Sequence, residues 1–374
     1  MKIALVTTTI RLPDFLKGFG ENIRNHGHRD VGLFVVGDMK TPPGTGKYVA
    51  GLKGFGKKVY LDVRAQEKFL GKLGRIGSRI PFNCIQRRNV GYLHAFASGA
   101  EIIISVDDDC FAAGDDFIGM HMAAGTMPEL KTVSSSTGWV NAMKFLTEEK
   151  GRSFYHRGFP YSKRGAPEKL KWSRSKRRVA VNAGLWIGDP DVSASTNIEI
   201  APRVTGFRRE ARPGIALAKG ACAPFNSQNT AFIREAMPAA FLIIMGRKIG
   251  ELSVGRYDDI WMSYFLKAIA DRVGDAIRFG GPLTIHRRNT HDLMRDLAEE
   301  LPGIILTEKI IESISGFALS SKNYADCYIE LSDHLARGAA NGKNYTNGEK
   351  KFMAGMCADM REWVGALRRI EPGI

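Results

Sequence analysis

Three adjacent carboxylates, Asp107-Asp108-Asp109, follow directly on the apolar run Ile102-Ile103-Ile104-Ser105-Val106. Such groups repel one another unless positive charge lies among them. A divalent cation carrying a nucleotide diphosphate supplies that charge, so the triplet points to nucleotide-sugar chemistry. If the triplet stays extended, Asp107 and Asp109 face one way and Asp108 the other. The first two can then hold Mn2+ or Mg2+ while Asp108 bonds a ribose or the backbone. An acidic turn capping the next segment is the plainer alternative.

Three further groups carry chemistry. His286 follows the apolar Leu283-Thr284-Ile285 and precedes Arg287-Arg288. A neutral imidazole there can complete a metal shell, or it can be a hydrogen-bonded structural histidine. Gly255-Arg256-Tyr257-Asp258-Asp259-Ile260-Trp261 places two carboxylates at a helix start. They either cap the helix or face a sugar as base or acceptor-binding groups. Arg157-Gly158-Phe159-Pro160-Tyr161-Ser162, followed by Arg164, is a compact arginine loop. Its glycine and proline fix the backbone, so Arg157 is aimed at a definite place. A phosphate clamp and a guanidinium held by a carboxylate are both open readings.

These groups need elements to position them. Lys2 to Thr8 and Val31 to Val36 read as buried strands, the second ending at Gly37-Asp38. Arg87 to Ala100 has helical apolar spacing and leads into the Ile102 strand. Continuous apolar strands separated by helices imply a mostly parallel sheet covered on both faces. Ligands collect beyond the carboxyl ends of such strands, where the acidic triplet stands. Thr132 to Ala231 reads as a mixed region built over the site. Met237 to Ile249 is expected to be a helix, as is Asp258 to Val273. From Ser321 the chain reads as mostly helical, with Asn341-Gly342 and Asn347-Gly348 as breakers.

The chain has 374 residues, 44% of them hydrophobic, enough for a sizeable core. No apolar run reaches the ~20 residues that span a bilayer. Five scattered cysteines without a CxxC pair fit a reduced, cytoplasmic protein. The net charge of +15 attracts polyanions. Its densest cluster, Lys169 to Arg178 around Trp172, reads as a solvated loop, a diphosphate funnel or a nucleic-acid patch. No nucleic-acid motif accompanies it, and no nucleic-acid partner is expected.

The chain resembles the reversibly glycosylated polypeptides, the family that includes the plant UDP-arabinopyranose mutases. Thr9-Ile10-Arg11 with Asp14-Phe15-Leu16 is similar to the family's opening. Val106 to Phe111 resembles its acidic motif, and Arg157 to Ser162 with Arg164-Gly165 its arginine loop. Gly184-Leu185-Trp186 with Pro190-Asp191, then Asn229 with Ala231-Phe232, match in order. Gly255 to Trp261 and Asp326 to Ser332 complete the series. The segments Gly44 to Ser78 and Lys169 to Arg178 depart from the pattern, and Asn182-Ala183 stands where a histidine is expected.

The resemblance implies an α/β GT-A (Rossmann-like) fold, a UDP-sugar substrate and a divalent metal, usually Mn2+. It implies that Arg157 accepts the sugar reversibly, that Arg164 is also needed, and that pyranose and furanose forms interconvert. Asp258 and Asp259 are the candidate catalytic carboxylates, and Asp107, Asp109 and His286 the candidate metal ligands. Thr9, Arg11, Asp38 and Arg88 are candidate nucleotide contacts, as are Asp107, Asp108, Trp186 and Asn229. Residues 1–300 are expected to form the catalytic domain. Residues 301–374 are expected to form a helical extension that packs on it or serves self-association into a homo-oligomer. A GT-A transferase acting on a separate acceptor is the alternative activity.

Overall fold

A computed structural model describes residues 1–211 and 214–374. The N-terminal part runs β1 (Ile3–Thr8), α1 (Leu16–Asn25), β2 (Val31–Val36), α2 (Thr45–Gly51), β3 (Lys58–Leu61), α3 (Val63–Leu70), α4 (Ile76–Arg79), α5 (Arg88–Ala97) and β4 (Ile102–Val106). There follow β5 (Cys110–Ala112), α6 (Phe117–His121), β6 (Glu129–Ser135), β7 (Leu146–Glu148), β8 (Leu170–Lys176) and β9 (Val179–Gly188). Next come α7 (Ala194–Glu199), β10 (Val204–Phe207), β11 (Ile215–Leu217), β12 (Asn229–Ile233), β13 (Lys248–Ile249) and β14 (Leu252–Ser253). The chain closes with α8 (Asp258–Val273), β15 (Ala276–His286), α9 (Leu293–Ser315), α10 (Tyr324–Asn341) and α11 (Asn347–Ile370).

The main sheet has the order β3-β2-β1-β4-β12-β9-β15-β11-β6-β8. The first four strands in this order are parallel; β1, β2 and β4 are apolar and buried, as a sheet covered on both faces requires, and β3 at the edge is only partly buried. β12 is antiparallel to both β4 and β9, and β15 is parallel to β9. The sheet is therefore mixed, with its parallel part in the N-terminal half. Two reversals restore direction, so β9 and β15 run the same way as β4. The carboxyl ends of β1, β2, β4, β9 and β15 thus share one edge with the start of β12. That edge gathers Thr9, Asp38, Asp107 to Asp109, Gly188 and His286. Helix α5 lies close on β1 because Gly91 leaves room there. A Cβ at Gly91 would stand 2.5 Å from Val6 Cγ1.

The C-terminal helices use their apolar faces within the chain. Trp363 of α11 stacks on Phe241 at 5.2 Å between ring centroids and donates to the Met237 carbonyl at 3.0 Å. Buried Asp359 takes ion pairs from Arg79 at 3.1 Å and Arg247 at 2.5 Å. The tail is thereby pinned to α4 and to the segment before β13. Helix α9 runs unbroken across residue 300, the expected domain boundary.

Several expectations are corrected. Met237 to Ile249 is not a helix. A 3-10 turn covers Arg234–Ala239, Pro238 lies within it, and buried irregular chain continues to Met245. Lys169 to Arg178 is not a loop, since β8 occupies its centre and pairs antiparallel with β6. The apolar Leu283 to Ile285 belongs to an eleven-residue strand that ends at His286. Asn347-Gly348 opens a helix instead of breaking one, because Thr346 and Glu349 form a capping box.

Candidate active site

The acidic triplet is a turn. Cys110 N donates to the Asp107 carbonyl at 3.2 Å, which bends the chain out of the β4 direction. The division expected from an extended strand holds nevertheless. Asp107 and Asp109 line one cavity, and Asp108 lines the adjoining one. Ile85 borders both.

Behind the turn lies Arg88, fully buried at the start of α5. It pairs with the Asp107 carboxylate and donates to Ser105 Oγ, the Ser227 carbonyl and Ser227 Oγ, each at 3.2 Å. Arg88 itself lines neither cavity; its guanidinium holds Asp107 in place. Burial raises the Asp107 pKa, and the pull of Arg88 only partly offsets that. Burial, and then Asp107 and Asp109, push Asp108 up to about 6. Each shift records negative charge without enough counter-charge.

β15 delivers His286 to the same place. Its Nδ1–H donates to the Asp189 carbonyl, which leaves Nε2 as the free lone pair. Nε2 lies 3.4 Å from Asp109 Oδ2 and has no hydrogen-bond partner; Asp109 Oδ1 is likewise buried without one. Burial acts to raise Asp109 and lower His286. Their mutual attraction wins, so Asp109 is lowered and His286 raised. Donor atoms of Asp109, Cys110 and His286 all lie within 4.8 Å of one another. An oxygen and a nitrogen left unpartnered at this spacing fit Mn2+ or Mg2+. Burial holds the Cys110 thiol well above its ordinary pKa, so it is neutral beside these two groups.

The arginine loop forms the opposite wall. Gly158 takes φ +82, and a Cβ there would meet Ile260 Cγ2 at 2.2 Å, so glycine is required. Arg157 N donates to the Asp191 carbonyl at 2.9 Å. Its side chain makes a bidentate pair with Asp191 at 2.8 and 2.9 Å. Nη2 also donates to Asp259 at 3.2 Å, and Nη1 donates to the Arg256 carbonyl. Arg256 presents that carbonyl from a left-handed backbone, φ +59. Burial alone would lower the Arg157 pKa; Asp191 and Asp259 outweigh it and raise it well above normal.

α8 supplies both carboxylates of its first turn. Asp259 accepts from Ser227 N at 3.0 Å and Ser227 Oγ at 3.2 Å. Asp258 accepts from Gln86 Nε2 at 2.9 Å. Burial first, and then the Asp259 charge, push Asp258 up to about 7. The two adjacent acids thus differ in role: Asp259 is committed to Arg157 and Ser227, while Asp258 can exchange a proton near neutrality.

The adjoining cavity is lined by Thr9, Arg11, Asp38 and Asp108, beside Asn83 and Asn289. Asp38 accepts from the backbone N–H of Met39 and of Asn83, both at 2.7 Å, so its carboxylate fixes the cavity wall. Arg11 donates to Asn289 at 2.9 Å. Trp186 and Asn229 line neither cavity. Trp186 is buried against His156, and Asn229 is spent on His121 and on the Leu185 and Pro282 carbonyls. Arg164 is also apart. It donates to the Phe159 carbonyl and stacks on Tyr161 at 3.8 Å.

Sequence reasoning assigned no role to Asp191, Ser227, Gln86, Arg288 or His291, all of which line the main cavity or bond to its residues. Pro190-Asp191 and Arg287-Arg288 were visible as motifs, but only the fold carries them to Arg157 and the acidic turn.

The family model described as "Reversibly glycosylated polypeptide" matches residues 6–372. The chain is 31% identical over 270 residues to "Probable UDP-arabinopyranose mutase 1" of Pisum sativum, covering 70% of this chain and 67% of that one. It is 30% identical over 303 residues to "Probable UDP-arabinopyranose mutase 2" of Solanum tuberosum, covering 80% and 75%. Glucosyl-3-phosphoglycerate synthase of Mycobacterium tuberculosis, solved with Mn2+, UDP and phosphoglyceric acid, overlays with a TM-score of 0.41 at 13% identity. That overlay covers 85% of this chain and 79% of that one, and is too loose to bear on the site. With a mixed α/β sheet, a carboxylate turn at its edge and a match along nearly its whole length, the chain belongs to the reversibly glycosylated polypeptide family.

Proposed function

We propose that the protein is a metal-dependent UDP-sugar mutase that interconverts pyranose and furanose forms of an arabinose-like sugar through reversible glycosylation of Arg157. The observation that carries this reading is the shared cavity. Arg157 lines it together with Asp107, Asp109 and His286, and Asp258 stands there with its pKa pushed up to about 7. The nucleoside occupies the cavity of Thr9, Arg11, Asp38 and Asp108, its diphosphate reaches into the main cavity beside Asp107, Asp109 and Arg288, and the sugar extends towards Arg157.

Asp107, Asp109 and His286 would hold Mn2+ or Mg2+, which would supply positive charge opposite the departing diphosphate. The C1–O bond to phosphate breaks with its electron pair passing to UDP. A nitrogen of Arg157 forms the C1–N bond and gives up a proton. Guanidinium is a weak nucleophile because its pKa exceeds ~12. Asp191 and Asp259 fix the group, and Asp258 takes the proton. The nitrogen lone pair forms C1=N as C1–O(ring) breaks, the ring oxygen taking the proton held by Asp258. A second sugar hydroxyl then adds to C1 and returns a proton to Asp258, and the oxygen of UDP displaces the arginine nitrogen from C1. Arg157 leaves and recovers its proton. Splitting the rearrangement at a covalent adduct lowers each barrier. Arg164 acts on this reading through the loop, by stacking on Tyr161 rather than by touching the sugar.

One observation favours the transferase alternative. Arg157 is almost fully committed to carboxylates and a carbonyl, whereas Asp258 is placed as a base for an acceptor hydroxyl. Chromatography of UDP-sugars incubated with the protein and Mn2+ separates the two. A new UDP-sugar isomer supports the mutase; UDP release without an isomer supports the transferase. The proposal extends to a cytoplasmic setting, a catalytic part over residues 1–300, a bracing helical part over 301–374, and self-association. Among the described residues, no helix is long and apolar enough to cross a membrane.

A further inference from the structure

The segment from Arg287 to His291 connects β15 to α9 and straps the cleft. Its residues alternate between the two cavities: Arg288 and His291 line the first, Asn289 the second. Asn289 joins Arg11 at 2.9 Å to Asp109 at 3.3 Å. The end of the strap is fixed by Asp292, which caps α9 through Met294 N and Arg295 N.

Behind the strap, in the first turn of α9, stands Asp296. Three basic groups converge on its Oδ2: His291 Nδ1 at 3.0 Å, Arg256 Nη1 at 3.4 Å and Arg288 Nη2 at 3.6 Å. Asp296 is 8% exposed, and this oxygen has no hydrogen-bond partner. The three approaches are thus loose ion pairs, not formed hydrogen bonds. The other two arginines of the main cavity are tied down. Arg157 is bound to Asp191, Asp259 and the Arg256 carbonyl, and Arg256 Nε donates to Glu300 at 2.8 Å. Among the three arginines that line the main cavity, Arg288, 3.6 Å from its counter-charge, has the loosest hold on a carboxylate.

We propose that Asp296 is an internal stand-in for a substrate phosphate. It holds Arg288 and His291 beside the cleft until a nucleoside diphosphate arrives, then yields Arg288 to that diphosphate as the strap settles on it. The inference rests on the nucleotide-sugar reading above. Its logic is competition: two anions bid for one guanidinium, and removing one favours the other. Five carboxylates line the main cavity (Asp107, Asp109, Asp191, Asp258, Asp259), so a phosphate there needs both the metal and a free cation on the wall.

Titration of UDP into the full-length protein with Mn2+, followed by calorimetry, tests this with Asp296→Asn, Asp296→Glu and Arg288→Gln. The loss of one partly exposed ion pair corresponds to about a fivefold change in Kd. Asp296→Asn is expected to bind UDP about fivefold tighter, Asp296→Glu to match wild type, and the gain to vanish when Arg288→Gln is added. Equal or weaker binding by a folded Asp296→Asn overturns the proposal. Should Asp296→Asn not fold, Arg288→Gln alone decides: weaker UDP binding supports the inference, and unchanged binding overturns it. Failure of wild-type protein to bind UDP refutes the nucleotide reading itself, which separates the two failures.

Discussion

Arg157 and Asp191 form a buried bidentate pair, with both N–H···O distances at or below 2.9 Å. Planar guanidinium and carboxylate match each other in this geometry, which fixes the plane of the arginine as well as its position. Asp259 and the Arg256 carbonyl complete the cradle. A residue meant to attack a sugar carbon needs such pre-orientation.

Breaking that pair should be costly. Asp191→Asn leaves the Arg157 charge facing only Asp259 and is expected to destabilise the protein by about 3–5 kcal/mol. Thermal unfolding measures the loss, and turnover should fall with it. Asp191 also has a strongly depressed pKa, with burial opposed and outweighed by Arg157. Its stabilising contribution is therefore complete above the unfolded carboxyl pKa and disappears as pH falls through the folded value. Asp191→Asn should flatten the acid limb of stability.

Asp258 gives the opposite sign. Its folded pKa, raised to about 7, means the folded chain keeps a proton that the unfolded chain releases. Stability from this group is full below the unfolded carboxyl pKa, falls as pH rises towards 7, and levels off beyond. Activity should climb over the upper part of the same range as the base form appears. A pH–rate profile of Asp258→Asn should lose that ascending limb, while its stability at pH 8 exceeds that of wild type.

Metal binding should depend on Asp109 and His286 together. Asp109→Asn or His286→Ala is expected to weaken Mn2+ affinity at least tenfold, read by paramagnetic titration without any substrate. Arg88→Met should weaken it as well, although Arg88 touches no metal ligand except through its pair with Asp107. Unchanged affinity in Arg88→Met would show that Asp107 holds its place unaided.

Asn229 and Trp186 lie outside both cavities. Asn229→Ala removes hydrogen bonds to His121 and two carbonyls and should cost about 2 kcal/mol of stability. KM for the nucleotide-sugar should stay within about twofold of wild type. A large rise in KM with normal stability would restore Asn229 as a binding residue.

The strands and helices beneath the site were legible because their signals are local. β-branched runs gave β1, β2 and β4, and 3.6-residue periodicity with two leading aspartates gave α8 within its observed bounds. The run from Met237 misled because continuous apolarity does not distinguish a buried helix from buried irregular chain, and Pro238 favours the latter. The site was half legible. Asp107, Asp109, His286, Arg157, Asp258 and Asp259 lie in conspicuous motifs, and the structure brings them together. Arg88 looked equally available, yet its burial behind Asp107 follows from the packing of α5 on β1 and β4. Asp191 was visible only as part of a motif, and Ser227 and Asp296 were silent, because their meaning comes from partners 34, 32 and 40 residues away.

The most direct test of the central claim is intact mass of the protein incubated with UDP-arabinose and Mn2+. The account predicts a metal-dependent gain of one pentose, absent in Arg157→Lys, which keeps the charge between Asp191 and Asp259 but not the guanidinium. Turnover of the nucleotide-sugar with no adduct on wild-type protein, or an adduct that persists in folded Arg157→Lys, would contradict it.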